Sequence, residues 1–144
     1  MKRQAFSIIS LLSLLLMAGS AIAQTVRVRG DIPFNFTVGN KTFPAGVYDV
    51  ATLGSSDAKM LRLQSRDGKS NMIVGSNAAS SLKCPEKSKL VFNHYGSHYF
   101  LSEIWVKGET IGRHLPKSSQ EKELANEVAS DLTQRQVEVV ASLY

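Results

Sequence analysis

From Gln24 onward apolar and polar positions alternate with a period of two, as in strands that bury one face. Val26 and Val28 alternate with Arg27 and Arg29. Ile32, Phe34, Phe36 and Val38 alternate with Pro33, Asn35 and Thr37. Gly39-Asn40 then suits a two-residue hairpin turn of the II′ type, because glycine takes a positive φ at no steric cost. Residues 41–43 read as the return strand. Pro44-Ala45-Gly46 sets a tight turn, and residues 47–53 form the next strand. After a loop at 54–58 come a short strand over 60–64, an Asp67-Gly68 turn and a strand over 71–75. Residues 76–88 are small and polar and read as the longest loop. Residues 89–93 and 98–106 form a hairpin. Lys107-Gly108-Glu109 turns the chain into a strand over 110–115.

Pro116 ends that run, and the period changes. Ser118 and Glu121 have the spacing of a capping box, in which the hydroxyl accepts from a backbone N–H and the carboxylate reaches back. Leu124, Ala125 and Val128 then share one face of a helix over 119–129. Val137, Val139, Ala141 and Leu143 alternate again and predict a final strand. A helix continuing to the end competes, since neither glycine nor proline intervenes. The expected fold is mainly β: an antiparallel β-sandwich or small barrel with one helix in the C-terminal half.

The first 23 residues stand outside this pattern. Lys2 and Arg3 precede a short apolar segment, Phe6 to Met17, and Ala21-Ile22-Ala23 follows. That order predicts a secretory signal peptide cleaved after Ala23. A spanning helix needs about 20 apolar residues, and this segment is shorter and broken by Ser7, Ser10 and Ser13. No cysteine follows it for a lipoprotein anchor. Residues 24–144 then form a single β-rich domain, large enough for its own core.

Removing Lys2 and Arg3 lowers the formal charge from +5 to +3. The remaining cations are scattered, which speaks against a nucleic-acid partner. The single cysteine, Cys84, lies in a polar loop. It has no intrachain partner, so folding rests on core burial. Two glycosylation sequons, at Asn35 and Asn40, matter only in a eukaryotic secretory pathway.

The stretch LVFNHYGSHYFLSEIW holds the candidate chemistry. His94 and His98 have H-x-x-x-H spacing, but a zinc-protease helix would carry Glu where Tyr95 stands, and Gly96 sits between them. In a hairpin with the three-residue loop 95–97, His94 would face His98 across about 5 Å and the pair could share a metal. The same register would pair Phe92 with Phe100 and Lys89 with Glu103. With the two-residue loop Tyr95-Gly96, Phe92 would face Tyr99 and the histidines would separate. Further ligands would have to come from His114 or Glu103. Tyr95, Tyr99 and Trp105 suggest either core or an exposed aromatic binding patch. No nucleophile elbow, phosphate-cradling loop or paired catalytic carboxylates stand out, and no cofactor is called for.

Two stretches, IPFNFTVGNKTFPAGVYDV (Ile32 to Val50) and LVFNHYGSHYFLSEIWVKGETIGRHLPKSSQEKELA (Leu90 to Ala125), resemble a family of small exported bacterial proteins of uncharacterised activity. The resemblance implies a bacterial source and a periplasmic or secreted location. It assigns no role to any residue. Together these features suggest a non-enzymatic binding or structural module of the bacterial envelope. Its partner would be an envelope component or a protein, with no stable membrane span after cleavage. A small-ligand or lipid carrier with a barrel cavity and a metal-binding protein using His94 and His98 are the alternatives.

Overall fold

A computed structural model describes residues 25–54, 60–128 and 135–144. The signal segment lies outside these residues, as does Ala129 at the predicted end of the helix.

The chain runs β1 (Arg27–Ile32), β2 (Phe36–Val38), β3 (Lys41–Phe43), β4 (Gly46–Leu53), β5 (Met60–Ser65), β6 (Asn71–Gly75), β7 (Asn77–Ser80), β8 (Lys89–Tyr95), β9 (His98–Trp105), β10 (Ile111–His114), α1 (Ser119–Val128) and β11 (Arg135–Leu143). The main sheet has the order β3-β2-β9-β8-β11-β1-β4-β5-β6. It curls into a half-barrel, as the mainly-β expectation with one helix anticipated. β10 joins β9, and β7 joins β10, off this path.

Long β11 makes the curl possible. Its first part pairs with β8 and its last part with β1, so one strand passes from one half of the sheet to the other. The opposite edges approach through side chains: Lys41 Nζ donates to the Asn71 carbonyl at 3.4 Å. Two-residue turns set the β2–β3 and β8–β9 hairpins. Gly39 opens the β2–β3 turn with φ +60°, and Val38 pairs with Lys41 across it.

Aromatic rings fill the concave side. Phe36 packs edge-on against Tyr48 at 5.0 Å and against Phe92 at 5.5 Å, and stacks on Phe43 at 5.5 Å. Ile32, Leu61, Leu63, Leu90 and Ile104 complete a core from which water is excluded. The buried Tyr48 hydroxyl donates to the Pro44 carbonyl at 2.8 Å, tying the turn before β4 to the core.

Several expectations need correction. Ile32 ends β1 rather than opening the next strand. Residues 77–80, expected as loop, form β7 because β10 supplies a ladder: Ser80 pairs with Ile111 and Asn77 with His114. The β8–β9 hairpin adopts neither register expected for it. Gly96-Ser97 is the loop, with Gly96 at φ +58°, so Tyr95 pairs with His98 and His94 with Tyr99. A bulge then leaves Ser102 without a partner on β8, between Leu101 opposite Phe92 and Glu103 opposite Val91. That extra residue shifts the phase of β9. Leu101 and Ile104 both reach the core, while Phe100, Glu103 and Trp105 face the convex side.

Helix α1 roofs part of that convex side. Leu124, Ala125 and Val128 are only half-buried, and the deepest side chain of the helix is Glu121. Ser118 caps the helix as predicted, its Oγ accepting from the Glu121 N–H at 3.2 Å. The Glu121 carboxylate bonds elsewhere: it accepts from Asn93 Nδ2 at 2.8 Å and Tyr95 Oη at 3.3 Å.

Candidate functional site

The residues singled out in the hairpin do not gather into one patch. Tyr95 is 2% exposed and donates to Glu121; Trp105 is 8% exposed; Tyr99 is half-buried between Phe34, at 3.9 Å, and His94, at 4.2 Å. Paired residues share a face and neighbours along a strand alternate. His94 therefore lies on the concave face with Tyr99, and His98 on the convex face with Tyr95. The pairing of His94 with His98 on one face does not form. Among the described residues no group of three His, Cys, Asp or Glu side chains is placed to hold a metal. Nor is any helix among them long and apolar enough to cross a membrane.

The register builds a different surface. Glu103 faces Val91, which faces Glu138, so one row crosses β9, β8 and β11. Trp105 faces Lys89, which faces Val140, in the next row. On the other side of β9, His114 lies opposite Glu103 and extends the first row onto β10. The segment after β7 passes beside these rows and closes a groove of about 380 Å³. Ser81, Lys83 and Cys84 line one wall; Lys89, Glu103 and Glu138 supply its charges.

Lys89, Glu103 and Glu138 are each held by a neighbour. The Trp105 indole N–H donates to Glu103 Oε2 at 2.7 Å, which fixes both side chains. Lys89 Nζ pairs with the Glu138 carboxylate across β8 and β11. Gly112 lets the indole lie close, since a Cβ there would meet the ring at 2.6 Å. Trp105 is thus a floor more than a platform. The groove has oxygen acceptors and ammonium donors on rigid strands, an arrangement suited to polar ligands that carry both signs of charge.

A second groove, of about 560 Å³, opens where the β3–β4 turn meets the β5–β6 turn. Pro44, Val47 and Tyr48 form an apolar side; Arg66, Asp67 and Lys69 form the polar side. Burial raises the Tyr48 phenol above its ordinary pKa. Asp67 is held below the ordinary carboxylate range because it accepts from the Ser65 hydroxyl at 2.6 Å and the Lys69 N–H at 3.0 Å. The Asp67 carboxylate is thus spent on the turn itself.

Sequence reasoning named Trp105, Glu103 and Lys89 but not the Trp105–Glu103 partnership, and it missed Glu138 and the wall that the segment after β7 forms. The opposite-charge pairing expected for Lys89 was with Glu103; Glu138 takes that place. The alternation of β11 carried the available signal, since it sets Glu138 on the face opposite to Val137 and Val139. Comparison with family models, curated proteins and solved structures returned no match.

Proposed function

We propose that the chain is an exported, non-enzymatic binding module of the bacterial envelope, and that the convex groove over β9, β8 and β11 is its binding surface. The supporting observation is the grid of Lys89, Glu103, Glu138 and Trp105, fixed by hydrogen bonds on paired strands. Side chains locked before binding lose little conformational freedom when a ligand arrives. The ligand is a segment of envelope polymer that presents both amines and carboxylates. The signal-like segment and the resemblance to exported bacterial proteins favour the location.

Co-sedimentation with purified, insoluble bacterial cell-wall polymer tests this reading. The chain from Gln24 is expected to pellet with the polymer at low salt, and Lys89→Glu combined with Glu103→Gln to stay in the supernatant. Equal pelleting of both, or none of either, would overturn it.

The second groove favours a second reading, a small-ligand carrier. Its volume falls in the usual range for small-molecule sites, roughly 300–1,000 Å³. It lies on the rim, however, while Phe36, Phe43, Tyr48 and Phe92 fill the concave interior where a barrel cavity was expected.

A further inference from the structure

Arg113 is the one charged side chain carried into the core face of β10. It pairs with Ile104 on β9 and Ala78 on β7, so its side chain shares the face of the fully buried Ile104. Only 7% of the residue is exposed. Among the described residues no carboxylate pairs with it. Burial accordingly lowers its pKa, with no neighbouring charge acting the other way.

Ser76, at the corner between β6 and β7, takes up one edge of the guanidinium. Nε donates to Ser76 Oγ at 3.1 Å, and Nη2 donates to Ser76 Oγ at 2.9 Å and to its carbonyl at 3.0 Å. A guanidinium has five N–H donors, and these contacts leave the two on Nη1. No buried side-chain nitrogen or oxygen among the described residues lacks a partner, so Nη1 is not sealed in. It is the open end of an otherwise desolvated cation.

A neutral hydroxyl and carbonyl do not offset a buried charge. Taking an ion out of water carries a large desolvation cost, which only a well-placed opposite charge offsets. Fastening the Ser76 corner needs only a hydrogen-bond donor, which an amide would supply without that cost. Arginine is the side chain suited to carboxylate and phosphate, being planar, always charged and weakly hydrated. We infer that Arg113 anchors a binding site for a small oxyanion, which its Nη1 donors grip at the Ser76 corner. The site lies on the concave side, apart from the convex groove.

The test follows the Arg113 Nε–Hε resonance by ¹⁵N-edited NMR on the chain from Gln24. The protein is titrated with sodium phosphate and separately with sodium acetate, with sodium chloride holding ionic strength constant. A saturable shift of that resonance, with the Ser76 and Ala78 amides moving alongside, is expected with at least one anion. Phosphate alone would assign a phosphate ligand, acetate alone a carboxylate, and both the shared chemistry. Arg113→Lys, which keeps the charge but loses the fork, is expected to weaken binding by about tenfold or more, the worth of one charge-assisted hydrogen bond. A non-saturating drift shared with surface amides, or unchanged affinity in Arg113→Lys, would overturn the inference. Should that variant not fold, the wild-type titration still decides.

Discussion

Replacing Glu121 by alanine tests how the helix is fastened to the sheet. Glu121 is 4% exposed, and its carboxylate accepts from Asn93 on β8 at 2.8 Å and from Tyr95 at 3.3 Å. Hydrogen bonds to charged groups contribute about 1.5–3 kcal/mol each. The longer contact to Tyr95 belongs at the bottom of that range or below it. Together they give about 3 kcal/mol for Glu121→Ala, and the lost acidic group in the first helical turn adds under about 1 kcal/mol. Glu121→Gln keeps an oxygen acceptor in place and should cost only about 1 kcal/mol. Urea unfolding of the chain from Gln24, followed by far-UV circular dichroism, gives the difference from the midpoint at unchanged slope. A loss below about 0.5 kcal/mol for Glu121→Ala, or a glutamine variant no more stable than the alanine one, would refute the reasoning. The helix would then be held by Leu124, Ala125 and Val128.

Gly112→Ala puts a Cβ 2.6 Å from the Trp105 ring and 2.7 Å from the Ile104 carbonyl; thermal melts should show a loss of about 1–3 kcal/mol, and a neutral result would contradict the close packing of β10 on β9. Ser118→Ala removes the helix cap and should cost about 1 kcal/mol by urea unfolding; no change would mean that the cap is not needed. Asp67 has a lowered carboxyl pKa in the folded state. Its contribution to stability is therefore fully present above the unfolded value of about 3.9 and lost as pH falls through the lower folded value. A carboxyl ¹³C titration by NMR should place its midpoint below the ordinary range, and an ordinary midpoint would contradict the Ser65 and Lys69 contacts. For Tyr48 the phenol pKa is raised, so its contribution holds below about 10 and fades as pH rises through the folded value. Absorbance titration in Tyr48→Phe should lack the latest-titrating phenol.

Most of the strand order along the chain was readable because strands such as β1 and β5 bury one face and turns carry their own residues. Gly39 and Asp67-Gly68 mark hairpins whose geometry requires positive φ. The run from Ile32 to Val50 proved structural: Phe36, Phe43 and Tyr48 form the aromatic core, and Pro44 receives the Tyr48 hydroxyl. Strand β7 was not readable, since Asn-Ala-Ala-Ser has little strand preference and gains its ladder only from a distant segment. The bulge at Ser102 was hidden because both faces of β9 are apolar, so either phase satisfies the pattern. The hairpin turn did carry a signal, since Gly-Ser suits a two-residue loop. That loop separates the histidines and sends Tyr95 into the Glu121 contact.

The candidate groove was less readable still. Its rows depend on the lateral register of β9, β8 and β11, and β8 and β11 are joined by pairings across more than 40 positions. Arg113 looked like an ordinary polar position in a short strand; only the ladder with Ile104 shows which way its side chain turns.

The claim that the convex groove is the binding surface is tested most directly by mapping. Soluble fragments released from bacterial cell-wall polymer would be titrated into the ¹⁵N-labelled chain while its amide and indole resonances are followed. The account predicts saturable shifts clustered at Lys83, Lys89, Glu103, Gln136 and the Trp105 indole N–H. Shifts confined to Val47, Tyr48 and Arg66, or no saturable shift at all, would contradict it.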